Sequence, residues 1–277
     1  MRPLFICPVC GGALHKNEKS LFCEKGHCFD IARQGYVNLL LSQQSSLKHH
    51  GDDKLMVKSR ADFLEKGYYG KLKDRICEVV SSLVSSPAVL IDAGCGEGYY
   101  TRAAAETLES AGLLQSAGGI DISKDAVSFA AKRGGAVQYA VAGVFNMPLS
   151  SGCADIVLSI FAPFAADEFL RVLRPGGYLL CAHPLENHLM ELKCAVYDSP
   201  YKNDDVFSVP AGFEQTASEE ITGFIRLASN EDIINLFRMT PYYYKTGEKD
   251  QKKLEALTEL ETRIEFGIEI LNKKASV

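Results

Sequence analysis

Cys7, Cys10, Cys23 and His27 are spaced as ligands to one tetrahedral metal ion. Two residues separate the first pair and three separate Cys23 from His27, intervals at which thiolates and imidazoles meet a single zinc. Pro8, Gly11 and Gly12 shape a knuckle around the first pair. We read His27 as the fourth ligand, with the adjacent Cys28 as the alternative. Four protein ligands leave no open position, so this zinc is structural rather than catalytic. A segment of about forty residues buries too little apolar surface to fold alone, and a metal supplies the missing energy.

The second concentration of chemistry is the run from Val89 to Tyr99, in which Val-Leu-Ile-Asp-Ala leads into Gly94-Cys95-Gly96-Glu97-Gly98. An apolar strand, a G-x-G-x-G turn and a helix start let a nucleoside approach bare backbone. Tyr99 stands where the dinucleotide pattern G-x-G-x-x-G would place its last glycine, so a pyrophosphate fits poorly. S-adenosylmethionine, an adenosine carrying a methionyl sulfonium, fits the shorter loop. Asp121, about twenty residues past the loop, is placed to accept from ribose hydroxyls. Asp92 can hold the loop or reach the methionyl ammonium, and Glu97 sits in the turn.

The elements that must position these residues are those of a doubly wound sheet. Gly119 to Ile122 ends a second strand, and Asp167 to Arg174 reads as a helix stopped by Pro175-Gly176-Gly177. Tyr178 to Ala182 is a fifth strand. The fold class expected is α/β: a class I Rossmann-like methyltransferase domain, with a mainly parallel seven-stranded sheet and a small N-terminal zinc-binding domain. The expected divisions are a zinc head over 1–40, a polar linker over 41–54 and the methyltransferase domain over 55–277. Leu254, Leu257, Leu260, Ile264 and Ile268 lie near helical spacing, which predicts a terminal amphipathic helix over Lys249 to Lys274. His49, His50, Asp52 and Asp53 fall in the linker and read as a solvated loop rather than a second metal site.

Composition narrows the class. The chain has 277 residues, 47% hydrophobic and 23% charged, as in globular proteins. No apolar run reaches the ~20 residues of a membrane span, and the N-terminus carries a metal-ligand pattern instead of a signal peptide. Nine scattered cysteines point to a reducing compartment, the cytoplasm. A net charge of −5 excludes a protein that coats nucleic acid by charge alone. Residues 1–70 nevertheless hold ten Lys/Arg against seven Asp/Glu, so RNA contact is expected at the N-terminal end.

Two strings are not expected of a generic methyltransferase, Gly35-Tyr36-Val37-Asn38-Leu39-Leu40 and His188-Leu189-Met190-Glu191-Leu192-Lys193, and Arg60-Ala61-Asp62-Phe63-Leu64, Gly67-Tyr68-Tyr69 and Met239-Thr240-Pro241 accompany them. With the cysteine pattern and the glycine loop, the chain resembles the bacterial 23S rRNA (guanine-N1)-methyltransferases of the RlmA/RrmA type along nearly its whole length. The resemblance implies a homodimer that methylates N1 of one guanine in a hairpin loop of 23S rRNA, with the zinc head seizing the RNA. It also implies that Tyr69 and His188 line the cofactor site.

Departures and absences sharpen the reading. Gly143 stands where many such enzymes place an acid for the adenine amino group, leaving backbone and apolar packing from Phe145 or Met147. Phe161-Ala162-Pro163-Phe164 replaces the Asn/Asp-Pro-Pro-Tyr of exocyclic-amine methylation, and no Pro-Cys pair supplies a nucleophile for carbon methylation. Asp167 and Glu168 suit a helix start by charge alone, so no catalytic residue is named. Phe161, Phe164 and Tyr242-Tyr243-Tyr244 are candidate stacking surfaces for an extruded base. Arg2, Lys16, Lys19, Lys25, Arg33, Lys48, Lys54, Lys58 and Arg60 are candidate phosphate contacts. Two alternatives stay open: a zinc-headed methyltransferase acting on a small molecule or protein, and a cofactor-binding RNA-binding module without turnover.

Overall fold

The computed structural model describes residues 3–41, 51–204 and 207–274. Arg2, Lys48, His49 and His50, and most of the expected linker, lie outside them.

The head is built from three short antiparallel strands, β1 (His15–Asn17), β2 (Ser20–Phe22) and β3 (Cys28–Asp30). The chain leaves it through β4 (Val37–Asn38) and enters the body with α1 (Lys54–Glu65) and α2 (Gly70–Ser82). Then follow β5 (Ala88–Ala93), α3 (Tyr99–Ser110), β6 (Leu114–Asp121), α4 (Lys124–Lys132) and β7 (Val137–Val141). The second half comprises β8 (Ala154–Ile160), α5 (Ala166–Val172), β9 (Leu173–Pro184), α6 (Met190–Val196), β10 (Phe213–Leu227), α7 (Asn230–Arg238), α8 (Tyr242–Lys245), α9 (Glu248–Gln251) and β11 (Leu260–Lys273).

The large sheet runs β10-β11-β9-β8-β5-β6-β7-β4. Strands β4 to β9 pair parallel, and β11 lies antiparallel between β9 and β10. Strands β5 to β11 form the seven-stranded class I methyltransferase sheet. The eighth strand, β4, is contributed by the chain leaving the head. At the centre, β5 and β8 are buried at every position, as a strand covered on both faces must be.

The two faces are covered differently. On one, Leu72 and Ile76 of α2, Leu108 of α3 and Leu236 of α7 pack with Leu90, Leu158, Leu180 and Phe266 of the sheet. On the other, residues 142–153 between β7 and β8 form no helix. The head takes that place: Phe5, Leu14, Leu21, Val37 and Leu39 share one apolar cluster with Val89, Ile91, Ile120 and Ala140. The Leu4 amide donates to Gln138 Oε1 at 3.1 Å and the Ile6 amide to the Pro148 carbonyl at 2.9 Å. Leu4 also lies where a Cβ on Gly118 would stand.

Two sequence expectations need correction. The predicted terminal helix is instead α9, a 3-10 turn (Lys252–Ala256) and β11. Thr262, Ile264, Phe266, Ile268 and Ile270 alternate along β11 and are buried. This period of two also sends every second residue to one face, and burial between β9 and β10 selects it over the helical reading. The predicted helix over 167–174 ends at Val172, and Arg174 to Gly177 already belong to β9. Among the described residues, no helix is long and apolar enough to cross a membrane.

Candidate cofactor crevice and metal centre

The crevice opens at the carboxyl end of β5. The amides of Gly94 and Cys95 both donate to the Ile120 carbonyl, at 2.8 and 2.9 Å, which folds the loop back onto β6. Gly94 has φ +91° and Gly98 φ +82°, values that a side chain rarely tolerates. A Cβ at Gly94 would collide with that of Ala162, and one at Gly98 would lie 2.8 Å from Ala130 Cβ and 2.9 Å from Tyr139 Oη. The loop is thus wedged between α4 and the turn after β8.

Asp121, at the tip of β6, accepts the Gly96 amide through Oδ2 at 3.0 Å and the Ser123 amide through Oδ1 at 2.8 Å. Each oxygen keeps a lone pair for a hydroxyl. Asp92 accepts the Thr101 hydroxyl at 2.5 Å through Oδ2, while its buried Oδ1 has no partner. Burial pushes the Asp92 carboxyl up to about 7, against the Thr101 hydrogen bond and with repulsion from Asp121 and Glu97 adding to it. Glu97 is buried too; burial raises its carboxyl and the guanidiniums of Arg60 and Arg133 only partly offset this. Glu97 Oε1, Tyr100 Oη and Tyr139 Oη are buried without hydrogen-bond partners. Buried polar atoms are normally satisfied. Glu97 Oε1 lies 3.6 Å from Arg133 Nη2, which likewise makes no hydrogen bond. Buried oxygens left without a hydrogen bond at and around a bare glycine loop, Asp92 Oδ1 above all, fit a ligand that brings an ammonium, hydroxyls and positive charge, as S-adenosylmethionine does.

Tyr69 and His188 meet each other. Tyr69 caps α2, only 3% exposed, and its Oη lies 3.2 Å from His188 Nε2. The Glu265 amide, which can only donate, points at His188 Nδ1 at 3.1 Å. The ring proton therefore sits on Nε2, facing Tyr69. Burial first, then the charge of Lys193, pushes His188 down to about 3 and keeps it neutral. Phe266 packs on both, with centroids 4.8 and 4.7 Å away, and Phe161 lies 5.6 Å beyond it. Phe161 is 44% exposed and has φ +53°, a strain of about 1–3 kcal/mol that packed surroundings must hold in place. The pair is therefore joined to the crevice mouth through a row of rings.

Other expected residues turn out to be structural. Glu168 accepts the Met147 amide at 2.7 Å and pairs with Arg171, whose guanidinium donates to the Met147 and Leu149 carbonyls. Together they clamp the loop after β7. Asp167 is exposed, as is Phe145, whereas Met147 is buried. A Cβ on Gly143 would meet nothing. Tyr242 is buried, and Tyr244 is exposed with its hydroxyl donating to Asp53 Oδ2 at 2.8 Å. Lys58 pairs with Asp62, and Arg60 pairs with Asp52 and donates to the Met239 carbonyl at 3.2 Å. Arg60 is therefore engaged inside the fold. Sequence reading missed Arg133, Tyr100 and Tyr139, because only the packing of α4 and β7 against the loop brings them there.

In the head, Cys7, Cys10, Cys23 and His27 present donor atoms all within 4.8 Å of one another. Cys10 Sγ and Cys23 Sγ are 3.6 Å apart, and His27 Nδ1 lies 3.5 Å from Cys7 Sγ and 3.3 Å from Cys23 Sγ. Ligands about 2.0–2.3 Å from a tetrahedral zinc are separated by about 3.5–3.8 Å, so the donors fit that ion. Each half is a tight turn: the Gly11 amide donates to the Cys7 carbonyl at 2.8 Å and the Gly26 amide to the Cys23 carbonyl at 2.9 Å. Cys28 is exposed, outside the group.

The N-terminal region of the RlmA family matches residues 5–48, and a methyltransferase domain matches residues 91–181. A Streptomyces fradiae protein named 23S rRNA (guanine(748)-N(1))-methyltransferase is 40% identical over 190 residues. That match covers 67% of this chain and 65% of the relative, just under two thirds of its length. A Bacillus subtilis (strain 168) protein, YxjB, provisionally named 23S rRNA (guanine-N(1)-)-methyltransferase, is 32% identical over 91% of this chain and 90% of its own. The chain belongs to this family. The head of this methyltransferase is the family's zinc ribbon, and its crevice is that of an S-adenosylmethionine-dependent enzyme. Among solved structures, the YcgJ protein of Bacillus subtilis superimposes with a TM-score of 0.48 at 12% identity, over 73% of this chain and 98% of that one.

Proposed function

We propose that this methyltransferase transfers a methyl group to N1 of a guanine in a hairpin loop of 23S rRNA, acting as a cytoplasmic homodimer. The observation that supports methylation of 23S rRNA is a Bacillus relative, named as a 23S rRNA (guanine-N(1)-)-methyltransferase, whose match spans both head and crevice. Cys7, Cys10, Cys23 and His27 hold the zinc. Gly94, Gly96, Glu97 and Gly98 form the backbone cradle, Asp121 takes the ribose, and Asp92 with Glu97 faces the methionyl ammonium. Tyr69 and His188 back the crevice through Phe266. The divisions are a zinc head over 1–40, a connection over 41–54 and the methyltransferase domain over 55–277.

When bound, S-adenosylmethionine supplies a methyl group already activated by its sulfonium. N1 of guanine is a weakly acidic lactam nitrogen, so orientation of the base contributes much of the rate. Phe161, exposed and held in a strained conformation at the end of β8, suits stacking of a base taken out of its helix. Phosphate contact falls to Lys16, Lys19, Lys25 and Arg33. All four are exposed, and none forms an ion pair with a described residue.

The test is a transcript of the 23S rRNA hairpin incubated with enzyme and labelled methyl donor, followed by primer extension. Methylation at N1 blocks pairing, so a stop at one guanine that requires the enzyme is expected. Label incorporated without such a stop, or into protein or small molecules from RNA-free extract, would overturn the reading.

A further inference from the structure

Gly51 to Asp53, the last residues of the expected linker, are tied down on three sides. The Ser123 hydroxyl donates to the Asp52 carbonyl at 2.6 Å, beside the Asp121 carboxylate that Ser123 also contacts through its amide. A Cβ on Gly51 would stand 2.9 Å from Ile122 Cγ2 and 3.1 Å from Ser123 Cβ, so the backbone lies directly on that turn. Asp52 pairs through its side chain with Arg60 of α1, and Arg60 is steadied by the Met239 carbonyl at 3.2 Å. Asp53 accepts the Met56 amide at 2.9 Å to start α1, and accepts the Tyr244 hydroxyl.

The turn under this strap carries Asp121, and Arg60 Nη1 lies 3.6 Å from where a Cβ of Gly96 would be. Arg60 thus reaches the glycine loop and the strap at once. A strap pinned between them closes the ribose side of the crevice and holds the two oxygens of Asp121 against the Gly96 and Ser123 amides. Its last residue, Asp53, caps α1, so docking of the strap fixes the start of α1 beside the Asp121–Ser123 turn.

We propose that Arg60 is a positioning residue: by holding Asp52 it keeps the strap Gly51–Asp53 on the Asp121–Ser123 turn and so preorganises the ribose end of the crevice. This rests on the reading of Asp121 as the ribose ligand. The same link gives the Met239-Thr240-Pro241 string a task, since the Met239 carbonyl is the second anchor of the guanidinium.

The test is calorimetric titration of the full chain with S-adenosylhomocysteine, alongside melting temperature, for Arg60→Gln, Asp52→Asn, the double variant, Arg60→Lys and Asp121→Asn. Affinity is expected to fall about tenfold in each of the two single strap variants and no further in the double, because both cut one link. Arg60→Lys, which keeps the charge, is expected to recover part of the loss. Losses that multiply in the double variant, or that track melting temperature alone, would overturn the proposal. So would Asp121→Asn weakening binding while the strap variants do not. If Asp121→Asn itself binds normally, the ribose reading fails first. Should Arg60→Gln fail to fold, Asp52→Asn decides: with its melting temperature unchanged, normal affinity overturns the proposal and a tenfold loss supports it.

Discussion

The head and the sheet body solve the same problem of burying apolar surface by different means. The body owns two covered faces and long strands, and its centre is saturated with apolar contacts. The head has three strands of three residues each, and its apolar residues Phe5, Leu14 and Leu21 are buried in a cluster completed by the sheet, the loop after β7 and α5. Metal ligation compensates inside the head, while the sheet supplies the rest of its core. In return the head covers a face that the β7–β8 connection leaves without a helix. The two parts thus share one apolar core despite their different construction.

Removing the metal should have the largest effect on the head and the body together. Chelation, or Cys23→Ser, is expected to cost at least about 4 kcal/mol and to lower the melting temperature of the whole chain by roughly 10 °C. Scanning calorimetry should show one transition moving. A head that melts separately, leaving the body's transition in place, would show that the shared core is not cooperative. Phe5→Ala sharpens the same point without touching the metal: its buried ring packs in the shared cluster, and about 3–5 kcal/mol should be lost in denaturant unfolding. On the body side, Gly94→Ala drives a Cβ into Ala162 at φ +91°. Affinity for S-adenosylhomocysteine is expected to fall about a hundredfold, roughly 2.7 kcal/mol, in titration calorimetry, with zinc content unchanged.

The smallest effect is a pH dependence confined to the crevice. Burial raises the Asp92 carboxyl to about 7, so its contribution to stability is full below the unfolded value near 4 and is lost as pH rises through about 7. A ligand ammonium favours the ionised form. Affinity should therefore weaken as pH falls below about 7, by at most about tenfold per unit, with proton release on binding. Asp92→Asn should flatten this dependence in calorimetry across buffers of different ionisation enthalpy.

Much of the fold and crevice was legible because the signals were local. The glycine loop, its flanking strand and Asp121 announce themselves by spacing, and the left-handed conformations at Gly94 and Gly98 explain why glycine stands there. Where two patterns coexist in one stretch, locality misleads. Leu260, Ile264 and Ile268 satisfy a helical spacing, while Thr262, Ile264, Phe266, Ile268 and Ile270 satisfy a strand's. The β-branched residues and Gly267 were the available sign that the strand would win. The linker shows another limit: Gly51 to Asp53 are polar, as a free segment would be, but their partners Arg60, Ser123 and Tyr244 come from three separate elements.

Short-range covalent geometry is legible along the chain: the ligand intervals at Cys7, Cys10, Cys23 and His27, the turns that need glycine, and the order of strands and helices around them. Packing between elements decided which face the head covers, that His188 meets Tyr69, and what Arg60 holds. Those outcomes depend on burial, which removes water as a competing partner and makes the alignment of distant groups decisive. That information resides in packing between elements, not in the spacing along any one of them.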